Sequence, residues 1–433
     1  LKNDKAEGKV ESLTVNPLEL LSQAYKVAVD AAHPSKHLSN YLPDLPEGRL
    51  MVVGAGKAAA GMAQAVEVHY PLERIEGLVI TRYGHALPTQ KIEVIEASHP
   101  VPDLAGQEAT QKLLAKLQGL TQDDLVLCLV SGGGSALFVA PDEITLEQKA
   151  DLTKALLKSG ADITEMNTLR KHLSRVKGGQ LARAAFPARV VSLIVSDVVG
   201  DDLTSIASGP TVPDPSTFVD ALEVLNRYQI EAPEARAHLQ KGVDGKIPET
   251  PKPNDTLFQN VTNTLVASGQ QSLEAAASFF KRQNVTPYIL SDSITGEAKE
   301  VAKVHAALAR QIVRYGQPFQ KPCALISGGE TTVTVRGQGR GGRNGEFALS
   351  LALELDGLEN VYALAADSDG IDGSENNAGA FVTPDCLQVV GKTKAKRLQE
   401  ANDSYSFFEE AETLFVTGPT NTNVNDLRMI LIL

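Results

Sequence analysis

The chain has 433 residues, 42% hydrophobic and 22% charged, which is apolar material for more than one core and none of the bias of a disordered polypeptide; about 100–200 residues per domain gives two or three domains. A formal net charge of −12, with no long Lys/Arg run to override it locally, argues against nucleic acid as a partner, while small anions still answer to local donors. Cys128, Cys323 and Cys386 are far apart and form no C-x-x-C pair, the opening LKNDKAEGKVES has no apolar core, and no stretch reaches the roughly 18 apolar residues of a membrane span; buried free thiols, no membrane and a cytoplasmic location are expected.

In chain order, Pro17 to Ala32 spaces its apolar residues three and four apart, as an amphipathic helix covering one face of a sheet does. The runs RLMVVGAG, GLVITRYG, DLVLCLVSGGG and RVVSLIVSDVVG follow, each ending in Gly, Ser or Asp and separated by helical stretches. Near-continuous Val/Leu/Ile runs suit strands buried on both faces of a parallel sheet, where ligands bind beyond the carboxyl ends. Around Gly242 to Asn260 the chain turns Pro-rich and aperiodic, which predicts a boundary between domains at 17–250 and 256–433. Beyond it TLVASGQ, PYILSDS, CALISGGE, VYALAADSDGIDG and LFVTGPT resume the alternation, giving a second α/β domain whose strand ends face the first across a cleft.

The strand ends carry the candidate chemistry. In MVVGAGKAAAG a strand runs into Gly54, Gly56 and Lys57 and then a helix, where free N–H groups and the lysine suit an anion; a tight turn with an exposed lysine is the alternative. The same residues fit G-x-G-x-x-A (Gly54, Gly56, Ala59), but the next strand ends in Arg82 rather than an acid, which would suit only a 2′-phosphate cofactor, so an NADPH-dependent reductase is the competing reading. Ser131, Gly132, Gly133, Gly134 and Ser135 form a run of small residues whose amides can make a phosphate-binding concavity. It is neither a Walker loop nor a G-x-S-x-G elbow. Asn167 to Ala182 carries Arg170, Lys171, His172, Arg175 and Lys177 ahead of two glycines, and reads equally as a solvated basic face or an anion site.

Asp197 ends the fourth apolar run, where a carboxylate can hold a hydrated cation, orient a hydroxyl or cap a turn. Arg336, Arg340 and Arg343 are interleaved with glycines after Gly328 and Gly329, a loop that can bring planar donor forks close to phosphate or carboxylate oxygens. Asp367, Asp369 and Asp372 crowd another strand tip, which needs a cation or a basic partner; the closing glutamate of an EF-hand is missing.

In this order, VVGAGKAAAGMA, VSGGGSAL, LRKHLSRVKGGQLA, SDVVGDDLTSIASGPTVPD, SGGETTVTVRGQGRGGRNGE, AADSDGIDG and TGPTNTNVNDL resemble the two-domain glycerate kinases of the glycerate 2-kinase type, whose C-terminal half is the MOFRL domain. The resemblance spans Pro17 to Ile432. It implies an α/β protein of two domains: a Rossmann-like N-terminal one with a mainly parallel sheet and a C-terminal one with a mixed sheet, the site lying between them. It further implies ATP- and Mg²⁺-dependent phosphorylation of D-glycerate, typically to 2-phosphoglycerate, and its motifs carry catalytic roles onto Lys57, Arg343 and Asp369. Phosphoryl transfer then calls for Lys57 and Arg343 to stabilise the transferring oxygens, or one of them to grip the glycerate carboxylate, and for Asp369 to orient or deprotonate the substrate hydroxyl; Asp197 and Asp367 are the secondary candidates for Mg²⁺ and the two Ser-Gly-Gly loops for phosphates. Proteins of this appearance have also been labelled hydroxypyruvate reductases. Oligomeric state stays open, with a homodimer among the options.

Overall fold

The computed structural model describes residues 16–433; the polar opening of the chain lies outside the described residues. Six strands, β1 (Leu50–Ala55), β2 (Ile75–Arg82), β3 (Ile92–Ala97), β4 (Leu125–Val130), β5 (Arg189–Val195) and β6 (Val261–Ala267), form a parallel sheet in the order β3-β2-β1-β4-β5-β6. Every residue of β1 and β4 is buried, as continuous apolar runs require. Alternate residues of β1 pack on opposite faces: Val52 with Met62 and Val66 of the helix Ala59–His69, and Val53 with the face that meets Ala109 and Leu113 of the helix Leu104–Lys116. Strand order reverses between β1 and β4, which opens a crevice at their carboxyl ends.

The second sheet is mixed. β7 (Thr286–Ser291), the short β8 (Gly296–Glu297), β9 (Cys323–Ser327), the short β10 (Thr331–Thr332), β11 (Val361–Asp367), β12 (Gly379–Val382), β13 (Leu414–Phe415) and β14 (Asp426–Ile432) supply a six-stranded sheet ordered β13-β12-β11-β14-β9-β7, with β8 and β10 paired apart from it. β7 and β9 are parallel, whereas β14 runs antiparallel to both its neighbours, β9 and β11. The start of β14 therefore lies at the end where β9 and β11 finish, with Asp426 opposite Asp367. One face of this sheet is covered by the helices Ala298–Tyr315 and Arg343–Leu355.

The opposite face is covered by Gly269–Arg282 and by Pro17–Ala32, whose Leu20, Leu21, Ala24 and Tyr25 pack with Phe280, Ala324, Leu364 and Leu431. Asn16 caps that first helix by accepting the Leu18 N–H at 2.9 Å, and each fully buried leucine stabilises the packing by about 1.5–3 kcal/mol. By sheet membership we place the division between domains after Ala267 and count Pro17–Ala32 with the second, later than the Pro-rich stretch suggests. The three cysteines are buried and unpaired, and no helix among the described residues is long and apolar enough to cross a membrane.

Candidate functional site

Lys57 crosses from the first sheet to the second. It sits in the turn between β1 and the helix Ala59–His69, and its Nζ donates to Asp369 Oδ2, just beyond β11, at 2.7 Å. The turn is pinned to the loop after β4: the Lys57 N–H donates to Gly132 O at 2.8 Å and the Ala58 N–H to Ser131 Oγ at 3.0 Å. Gly56 has φ +146°, and a Cβ on it would lie 2.0 Å from Ser131 Oγ, so no other residue fits that approach. The amides that a G-x-G-x-x-A turn would aim at a pyrophosphate are thus already bonded inside the protein. Gly54 lies within β1, where a Cβ would meet Leu129 O at 2.2 Å; it serves strand packing.

Asp369 is the charged member of the β11 tip. Burial works to raise its carboxyl, but the Lys57 ammonium outweighs it and holds the group below the usual carboxylate range, helped by the Ile371 N–H on Oδ1 at 3.0 Å. Burial correspondingly works to lower Lys57, and Asp369 and Asp367 outweigh it and hold the ammonium above its ordinary value. Asp367 behaves oppositely. Burial and the neighbouring Asp369 push it well above the usual range, although it accepts from Arg343 at 2.8 Å and from the Asp369 N–H at 3.0 Å.

Arg343 opens the helix Arg343–Leu355 and reaches three carboxylates: Nε to Asp426 at 2.7 Å, and one terminal nitrogen each to Glu330 and Asp367 at 2.8 Å. A guanidinium has five N–H donors, so those contacts leave two free for a ligand. Asp426 also pairs with the fully buried Arg428. Asp372 accepts the Asn344 and Gly345 N–H groups at 3.0 and 2.8 Å; it caps the helix that carries Arg343.

Asp197, after β5, accepts the Gly133 N–H and is raised to about 6, chiefly by burial, with the Lys57 charge partly offsetting it. A Cβ on Gly132 would stand 2.2 Å from Asp197 Oδ2, which is why the loop needs a glycine there. The cleft that joins these groups encloses about 660 Å³ and is lined by Lys57, Asp197, Arg343, Asp367 and Asp369, with His99, Asn423 and Asn425 around them. His99 is lowered to about 4 by burial and then by Lys57, so it is a neutral wall.

The structure thus brings Lys57, Asp197, Arg343, Asp367 and Asp369 together. The phosphate-loop candidates stand back from the cleft lining. Ser131 and Gly132 hold the Lys57 turn; Ser135 Oγ bonds Ser208 Oγ at 2.9 Å while its carbonyl accepts from Lys177 at 2.8 Å. Gly328 donates to Ser291 O at 2.8 Å and accepts from Arg428 at 3.1 Å, and Gly329 O accepts the Asp426 N–H at 3.2 Å, so both position the acid–base pair of β14. Arg340 is on the surface, paired with Glu409 and stacked 4.5 Å over Tyr405.

Sequence reasoning did not single out Asp426, Glu330 or Asn423. The available signal for Asp426 was the mostly apolar run LRMILIL directly behind it, which marks a central strand; if that strand is antiparallel, its first residue joins the others' last. Among the described residues no group of three or more His, Cys, Asp or Glu side chains is arranged to hold a metal ion.

Fold and cleft define a two-domain α/β protein with charged groups from both sheets converging on one anion-sized space. A family model described as a domain of unknown function, DUF4147, matches residues 20–240, and the MOFRL family model matches residues 323–426. A protein of Agrobacterium vitis carrying the provisional name hydroxypyruvate reductase is 48% identical over 424 residues, covering 96% of this chain and 95% of the relative. The D-glycerate 2-kinase of Thermotoga maritima is 42% identical over 416 residues, covering 94% and 97%. The crystal structure of glycerate kinase from Thermotoga maritima superposes with a TM-score of 0.87 at 41% identity, over 96% of this chain and 99% of that one. The chain belongs to the MOFRL family, in the group that includes these kinases.

Proposed function

We propose that the protein is a glycerate kinase that transfers the γ-phosphoryl group of ATP to a hydroxyl of D-glycerate, giving 2-phosphoglycerate. The observation that carries this reading is the Lys57–Asp369 pair bridging the two sheets at 2.7 Å. Phosphoryl transfer needs positioning and charge stabilisation more than a covalent catalyst, and the pair supplies both at one place. Asp369, kept ionised by Lys57, accepts the proton of the substrate hydroxyl. Lys57 and the two unbonded donors of Arg343 face the oxygens of the transferring group.

The divalent cation that accompanies ATP, Mg²⁺ in this proposal, neutralises phosphate charge. Such an ion keeps several waters and takes one or two carboxylates beside the phosphates, which fits Asp197, a hard oxygen donor with no basic side chain bonded to it. Asp367 fits less well, because both its oxygens already accept hydrogen bonds. The reductase reading receives no support from the glycine turn, whose Lys57 and Ala58 amides are internally bonded. A cytoplasmic location belongs to the same proposal and agrees with the unpaired thiols.

Purified protein incubated with ATP, Mg²⁺ and D-glycerate is expected to release ADP, with phosphorus NMR locating the new ester on carbon 2. NADPH oxidation with hydroxypyruvate, and no ADP with glycerate, would reject the proposal.

A further inference from the structure

Strand β2 carries a further cation into the cleft at its end, Arg82. Arg82 stands two residues past Ile80, as Lys57 stands two past Ala55, and Ala55 and Ile80 are register partners on neighbouring strands. The Gly56 N–H donates to Ile80 O at 3.0 Å, which holds the Lys57 turn against β2. Arg82 is half-buried and lines the same cleft as Lys57 and Asp369.

Three Lys or Arg side chains line that cleft. Lys57 is bonded to Asp369, and Arg343 reaches three carboxylates. Arg82 alone has neither an ion pair nor a side-chain hydrogen bond among the described residues. The acids of the neighbouring loops are engaged elsewhere. Glu96 accepts the Gly84 and Ala86 N–H groups at 2.7 and 3.2 Å, and Asp103 accepts from the Tyr83 hydroxyl at 2.8 Å and the Gly106 N–H at 3.0 Å. The cleft therefore holds one planar donor fork with no anion of the protein on it, and such a fork matches the two oxygens of a carboxylate.

Position favours the acceptor over the nucleotide. Across the mouth of the first sheet the strands run β3-β2-β1-β4-β5, so Arg82 lies on one side of Lys57 and Asp197, which follows β5, on the other. In phosphoryl transfer the attacking and leaving oxygens stand roughly in line, on opposite sides of the moving group. With the cation and the nucleotide phosphates toward Asp197, and the attacking hydroxyl at Asp369, the rest of the acceptor lies toward β2. The carbon-2 hydroxyl of glycerate is on the carbon that bears the carboxylate, so the group that binds the carboxylate must adjoin the Lys57–Asp369 pair. Arg82 is one strand away, a spacing of about 4.8 Å in a sheet. His99, held neutral, follows β3 beside it and adds no competing charge.

We propose that Arg82 binds the carboxylate of the acceptor and so selects a 2-hydroxy carboxylic acid over a neutral polyol. The assignment rests on the kinase reading for its ligand.

The test compares the full chain with Arg82→Gln and Arg82→Lys. Calorimetry with D-glycerate, in the presence of Mg²⁺ and a non-hydrolysable ATP analogue, gives Kd; ADP release gives KM for each substrate. In Arg82→Gln the Kd and KM for D-glycerate are expected to rise about 10–100-fold, the loss of a charge-assisted contact, while KM for ATP stays within about twofold. The carboxylate has the same charge before and during transfer, so kcat is expected to fall by less than KM rises. Arg82→Lys keeps the charge without the fork and is expected to fall between wild type and Arg82→Gln. Wild-type affinity for D-glycerate in Arg82→Gln overturns the assignment. So does a loss confined to ATP, which gives the guanidinium to the nucleotide phosphates, or an equal loss for both substrates, which marks a structural role. Failure of the kinase reading is separable: it shows as no ADP release by the wild-type protein, while calorimetry still reports whether Arg82 holds D-glycerate.

Discussion

Lys57→Met tests the interdomain pair on two scales. The two side chains are 13% and 3% exposed and lie 2.7 Å apart, and breaking a buried pair costs about 3–5 kcal/mol. The lower end is expected, because Asp369 keeps the Ile371 N–H and can take up a proton. On turnover, loss of one preorganised donor lowers kcat by about 10²–10³. The sign of the pH dependence follows from the two shifts. Asp369 is held below its unfolded value, so its contribution is present above that value and lost as pH falls through the folded one. Lys57 is held above its own, so its contribution is lost as pH rises through the folded value. The wild-type advantage is therefore widest between about pH 4 and 10 and shrinks on either side. Urea midpoints across pH and ADP release at saturating substrate measure both effects for Lys57→Met, Asp369→Asn and the double variant. The double variant is expected to be more stable than the sum of the single losses, by about 0.5–3 kcal/mol of coupling, with turnover no higher than in either single variant. Turnover of Lys57→Met within about fivefold of wild type, or strictly additive stability losses, would refute the reasoning.

Arg343→Lys replaces a fork that reaches three carboxylates with a single ammonium, so a drop in kcat of at least about 10² and a loss of about 3 kcal/mol in urea unfolding are expected. Asp197→Asn removes a carboxyl raised from its ordinary 3.8 to about 6. A raised group costs the folded state as pH climbs through that window, so the variant should gain on wild type by about 3 kcal/mol between pH 4 and 7 in thermal or urea scans; a pH-independent difference would contradict the burial of that carboxyl. Tyr25→Phe deletes the hydroxyl that donates to Asp367 O at 2.7 Å, and a loss of about 1 kcal/mol is expected in urea unfolding.

The alternation of apolar runs and polar strand ends was enough to read two α/β layers, a parallel first sheet and the residues at its mouth. Lys57, Arg343 and Asp369 were legible because each follows a glycine-rich or acidic strand end, where side chains escape the core. Other features depend on pairings between distant segments. The apolar stripe of Pro17–Ala32 is visible in sequence, but not that it faces Ala324 and Leu364 of the second sheet rather than its sequence neighbour β1. Asp426 escaped notice because it begins its strand, and only antiparallel placement between β9 and β11 brings it to Arg343. The glycines show the reverse limit: Gly54, Gly328 and Gly329 resemble phosphate-loop residues, yet packing and hydrogen bonding within the protein account for them.

The central position of β14 has a consequence for biosynthesis. Every strand of the first sheet has been made once the chain reaches Ala267, so that layer can form while the rest is still being translated. The second sheet cannot, because β9 and β11 have no partner between them until Asp426–Ile432 emerges. Until then each presents an open apolar edge, the kind of surface on which nascent chains associate wrongly. The same late segment delivers Asp426 to Arg343, so the charged cleft and the second core are completed in one step.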